Sequence, residues 1–152
     1  ITAGGGVDKF VTASAGDTTI MSASNDSSAT GAFASSAVIA TGDTFTFGNG
    51  VDRILSFDAN DTIDVITAGA FTSGLLDYST DLTTGTNYVI YGAYNSGTKV
   101  FTVAANYAAA GGNNVADALV VEGDAGSLTF LTTTGYTVLE DLTAALTTDN
   151  FV

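Results

Sequence analysis

The stretch from Gly42 to Val65, GDTFTFGNGVDRILSFDANDTIDV, restricts its chain to short β-strands joined by tight turns. Phe45 and Phe47 alternate with Thr44 and Thr46, the period of two that turns one strand face to a core, and Gly48, Asn49 and Gly50 then supply a turn. Further on, Ile54, Phe57, Ile63 and Val65 are apolar spurs separated by Asp58, Ala59, Asn60 and Asp61. That spacing predicts two or three very short strands stacked through acidic turns, with little helical character. Asp52, Asp58, Asp61 and Asp64 lie close to glycines that free backbone carbonyls to turn inward, and together these are the materials of a hard-cation site.

The charge balance points the same way. The chain has 152 residues, 16 acidic against 3 basic, and a formal net charge of −13. Such a surface repels a phosphate backbone and anionic lipid, so nucleic acid is excluded as a partner, and metal cations, high salt or plain solubility are favoured. A hydrophobic content of 45 % is too high for an acidic disordered tail, and the length suits one domain or a small capped repeat stack. Cysteine and histidine are both absent. Their absence removes disulfides, thiolate and imidazole zinc sites, and Ser-His-Asp or Cys-His catalysis. A carboxylate pair would remain for glycoside hydrolysis, but the chain has only Glu122 and Glu140 as glutamates, no tryptophan platform, and no cleft-forming context for either, so no enzyme activity is expected. No apolar run approaches the ~20 residues of a membrane-spanning helix. A chain that starts on Ile1 without a signal peptide reads as a fragment or a processed product.

Along the chain, Gly4, Gly6, Val7, Asp8 and Phe10 are repeated in kind by Gly48, Gly50, Val51, Asp52 and Ile54, as homologous turns on one edge of a stack would be. Between them, Thr18 to Met21 and Ala37 to Ala40 are candidate strands. The tract around Asn25 and Asp26 is either a solvated loop or a cation-binding turn. Residues Phe71 to Asp81 read as a short helix or an irregular crossover. Asn87 to Tyr94 and Lys99 to Ala104 form a hairpin through Asn95, Ser96 and Gly97. A helical turn at Ala108 to Ala110 is stopped by Gly111 and Gly112. Ala116 to Glu122 and Ser127 to Thr132 suggest a second hairpin, and Leu139, Leu142, Ala145 and Leu146 one or two amphipathic turns, with Asp149 capping a last one. Tyr88, Tyr91 and Tyr94 read first as sheet-packing residues and second as a sugar-binding face. Two textures result: residues 1–66, turned by glycine and aspartate, and residues 67–152, with longer antiparallel strands, sharing one continuous core.

GGGVDKF near the start, GNGVDRILSFDANDTIDV in the middle and DLTAALTTDNFV at the end resemble the C-terminal region of RTX-type (haemolysin-type calcium-binding) proteins exported by type I secretion, RTX-like S-layer proteins among them. The resemblance implies an all-β fold, a short parallel β-roll or β-solenoid-like section joined to an antiparallel β-sandwich-like C-terminal cap. It implies calcium held by turn carbonyls and carboxylates, with Gly4, Gly6, Asp8, Gly48, Gly50, Asp52, Asp58 and Asp61 as metal residues. Phe10 and Ile54 take the buried apolar positions of the repeat. No two complete nonapeptides stand in tandem and Ala3 replaces the first glycine, which points to one or a few incomplete sites, with Asp17 or Asp43 added from neighbouring turns. Leu139 to Val152 resembles an uncleaved secretion signal, and has a plainer reading as a capping strand or turn.

The expected function is therefore a non-catalytic module of a secreted or cell-surface protein, extracellular or on a bacterial surface. Its carboxylates repel one another in the calcium-poor cytosol, and it folds in external calcium after passing the type I secretion apparatus. The alternative is a self-assembling S-layer or filament subunit built by homotypic contacts; a targeting module attached to a secreted hydrolase is a third reading.

Overall fold

The computed structural model describes residues 9–11, 20–24, 39–47, 51–64, 71–75, 87–112, 115–122 and 136–152. Within them run the strands β1 (Lys9–Val11), β2 (Ile20–Ser24), β3 (Thr44–Phe47), β4 (Asp52–Leu55), β5 (Thr62–Asp64), β6 (Phe71–Ser73), β7 (Asn87–Asn95), β8 (Val100–Val103), β9 (Ala116–Glu122) and β10 (Tyr136–Leu142), then a 3-10 turn at Thr148–Asn150. The fold is all-β. A mixed eight-stranded sheet has the order β2-β3-β8-β7-β9-β10-β4, with β6 on the β7 edge beside β8, and β1 and β5 form a separate parallel pair.

The alternation in TFTF is realised: Phe45 and Phe47 are fully buried and Thr44 and Thr46 are half-exposed. The hairpin β7–β8 also forms as its turn residues dictate. Asn95 Oδ1 accepts the N–H groups of Gly97 and Thr98 at 3.0 Å each, an Asx turn that reverses the chain. The single helical turn forms too, with Ala110 N–H donating to Asn106 O at 3.0 Å and Gly111 and Gly112 at φ 121° and 54° ending it.

Other expectations meet a different outcome. Phe71–Ser73 is a strand, parallel to the start of β7, because its backbone completes the β7 edge that β8 leaves open. The amphipathic turns expected over Leu139 to Leu146 do not form: β10 is held as a strand through Leu142 between β9 and β4, residues 143–147 are bends and irregular chain, and helical geometry appears only at Thr148–Asn150. Ile39 and Ala40 lead into a turn and belong to no strand. Ser127 to Thr132 lies outside the described residues, and β9 instead has β7 and β10 as its antiparallel neighbours. The strands that follow the two Gly-x-Gly-Val-Asp copies do not pair with each other: β1 pairs with β5, and β4 pairs with β10.

The sheet is strongly curled. Phe47 on β3 and Tyr136 on β10 are four strand spacings apart in the sheet order, about 19 Å across a flat sheet. Their ring centroids are nevertheless 6.2 Å apart. The concave face so formed closes over Tyr88, Ile90, Phe101, Leu119, Val121 and Val138. The convex face, with Ile54, Val89, Tyr91, Ala118, Val120 and Leu139, is covered by Phe57, Ile63, Leu146 and Phe151. Strands from both sides of residue 66 contribute to each cluster.

The cover on the convex face is reached by an arch. β4 lies at the edge of the large sheet, Ser56 turns the chain at φ 62°, and after Asp58 to Asp61 the chain returns as β5 in the small pair.

Gly92, on β7 opposite Val103, is the tightest point of the curl. A Cβ there would collide with the Thr102 carbonyl oxygen and lie 2.6 Å from the Phe101 ring. Gly92→Ala is expected to destabilise the fold by about 3 kcal/mol, as overpacking against backbone does, measured by urea unfolding; an unchanged midpoint would contradict the curled packing.

Candidate functional site

Of the eight metal residues expected from the sequence, Gly4, Gly6, Asp8, Gly48 and Gly50 lie outside the described residues, as do Asp17, Asn25 and Asp26. Asp52 is exposed on β4. Asp58 and Asp61 share the arch turn. There Asp61 Oδ2 accepts the Asp58 N–H at 2.9 Å, Asp61 N–H donates to Asp58 O at 3.1 Å, and Asp58 Oδ1 accepts the Asn60 N–H at 2.7 Å. The Asp61 residue is fully buried. Among the described residues no group of three or more carboxylates is placed to hold a metal.

The same clasp recurs at Asp43, where Oδ2 accepts the Ala40 N–H at 2.8 Å and Asp43 N–H donates to Ala40 O at 3.1 Å. Both turns precede a Thr-apolar strand start, ATGDTF and DANDTI. A carboxylate three residues after an N–H that it accepts closes a tight turn with one charged hydrogen bond and one backbone bond. In these turns the aspartates fix where a strand begins.

Among the described residues the densest cluster of charged groups lies on the concave side, where β4, β7, β9 and β10 meet. Arg53 on β4 grips Glu140 on β10 in a fork, Nε to Oε1 and Nη2 to Oε2, the latter at 2.8 Å. Its guanidinium carbon stands 5.4 Å from the centroid of the Tyr94 ring, a cation–π distance. The hydrogen bond that the guanidinium donates to Glu140 outweighs the loss on burial and holds Arg53 above its ordinary pKa. Beside them Asp117, 6 % exposed, accepts the N–H of Tyr94 at 2.6 Å and that of Asp141 at 3.0 Å. Burial raises the Asp117 carboxyl above the usual range, against the two backbone donors, with the charges of Glu140 and Asp141 adding to the rise.

Asp141 has φ 57°, and the β10 register shifts between Leu139 and Leu142. The bulge returns Leu142 to the convex face, beside Leu139, where strict alternation would have turned it away. Asp117 therefore pins both the C-terminal end of β7 and the bulge. The sequence reading passed over this cluster, although one signal was available: a carboxylate inside the apolar run VADALVV needs internal donors if the strand is buried. Of the three tyrosines on β7, Tyr88 and Tyr91 are buried and Tyr94 is half-buried against Arg53.

Arg53→Ala is expected to cost about 2–3 kcal/mol in chemical unfolding. The figure lies below the ~3–5 of a fully buried pair because Arg53 keeps part of its surface in water. Equal stability of mutant and parent would show that the fork contributes nothing. The Asp117 shift makes a pH prediction with a definite sign. With the folded pKa above the unfolded one, the native state holds more protons between the two values, and stability falls as pH rises through that window. Asp117→Asn removes this slope, so the stability difference between parent and variant is expected to shrink from pH ~4 upward; a difference that grows would reverse the assignment.

Neither a protein-family model nor a curated protein nor a solved structure matches this chain.

Proposed function

We propose that the chain is a non-catalytic module of a secreted or cell-surface protein of RTX-like kind, in which a short β-roll-like parallel section leads into an antiparallel cap and calcium stabilises the whole. The observation that supports it most is the pairing of the strands entered from the two Gly-x-Gly-Val-Asp copies. β1 is parallel to β5 and β4 is parallel to β10, and parallel pairing of the strands that follow the two glycine-aspartate copies in sequence is what the RTX resemblance implies. Asp8 and Asp52, with the carbonyls freed by Gly4, Gly6, Gly48 and Gly50, are the proposed ligands, and Asp58 and Asp61 act mainly through the arch turn they close.

The physical role of the cation is linkage. A net charge of −13 works against compaction, and a divalent ion that binds the folded turns and not the unfolded chain offsets that repulsion. The same reading makes the type I secretion apparatus the partner and the cell exterior the place of folding.

Unfolding curves in chelator and in millimolar calcium, matched in ionic strength with sodium chloride, test the reading. Calcium at ~100 times its dissociation constant is expected to add about 2.7 kcal/mol, and Asp8→Asn with Asp52→Asn is expected to abolish that gain. Superimposed curves in the two buffers would overturn it. Sedimentation of the same samples separates a monomeric module from a self-assembling subunit.

A further inference from the structure

Beyond β10, residues 143–152 run along the far half of the arch and bond to it at alternate carbonyls. Thr143 N–H donates to Phe57 O at 3.4 Å and Val152 N–H to Ile63 O at 3.0 Å. Between them the Asn150 side-chain amide donates to Ala59 O at 3.3 Å and to Asp61 O at 2.8 Å. Phe57, Ala59, Asp61 and Ile63 are every second residue, so one edge of the arch is read from end to end by the tail.

The apolar contacts follow the same line. Phe57 and Ile63 from the arch and Leu146 and Phe151 from the tail belong to one buried cluster, and the Phe151 ring lies 4.8 Å from that of Phe71. Asn150 is 2 % exposed. Its Oδ1 accepts the Thr147 N–H at 2.9 Å, which orients the amide nitrogen toward the two arch carbonyls.

The central strands are built differently. β9 carries paired ladders to β7 on one side and β10 on the other, so its backbone is satisfied without the tail. The tail has one backbone bridge, Phe151 with Ile63, and a bond from Leu146 N–H to the Tyr91 hydroxyl at 3.0 Å. Separating tail from arch leaves buried acceptors on one and donors on the other, while the large sheet keeps its ladders.

We infer that the arch segment 57–64 and the tail 143–152 form one cooperative strap, latched by Asn150, that opens from the large sheet as a unit and uncovers the convex face at Tyr91, Val120 and Leu139. The tail turns away from the large sheet after Leu142, whose pairing with Ala116 stays with the β10–β9 ladder.

Hydrogen exchange on the full chain, in chelator, tests it. In the parent protein the amides of Asp61, Phe151 and Val152 are expected to share one opening population, larger than that of the β9 amides. Asn150→Ala should raise exchange in arch and tail together by about tenfold or more, the loss of two amide–carbonyl bonds, and leave β9 unchanged. Unequal opening populations for arch and tail in the parent, or an equal rise in β9 in the variant, would overturn the inference. If Asn150→Ala does not fold, the parent pattern alone decides.

Discussion

Burial of β7, β9 and β10 on both faces is the constraint that shapes the rest of this protein. A sheet of mostly antiparallel strands ordinarily keeps one face in water, but here Tyr88 and Ile90 face one core while Val89 and Tyr91 face another. With no solvent side for these three strands, the sheet curls to close its concave face and recruits the arch and the tail to cover the convex one. Small residues are needed where elements approach most closely, as at Gly92 under Thr102.

Double burial also decides how charge is handled. A carboxylate on such a strand must find donors within the protein, and Asp117 does so with the N–H groups of Tyr94 and Asp141. Glu140 finds Arg53. The chain has few cations to distribute, 3 in all, and one of them is placed where a buried glutamate needs it. The remaining acidic residues near this core either close turns, as Asp43 and Asp61 do, or stand at the surface, as Asp52 does.

Local grammar was legible in the sequence and long-range partnership was not. Alternation at Phe45 and Phe47, the Asn95 turn and the glycine stop at Gly111 each depend on neighbours a few residues away, and each appears where the residues predict it. The parallel union of β4 with β10 depends on residues far apart, for which a single sequence carries no period. Phe71–Ser73 is too short and too polar to show strand periodicity by itself; the vacant edge of β7 makes it one. Asp58 and Asp61 were ambiguous for a chemical reason. The oxygen that would coordinate a cation is the same oxygen that accepts a turn N–H, and spacing does not separate the two uses.

The fork between Arg53 and Glu140 joins residues 87 apart, and the bond from Asn150 to Asp61 joins residues 89 apart. Both close loops of more than half the chain, and such closures spend entropy before they return any contact energy. This architecture is therefore a slow one to assemble: its two cores complete only after residues 39–63 have met residues 136–151.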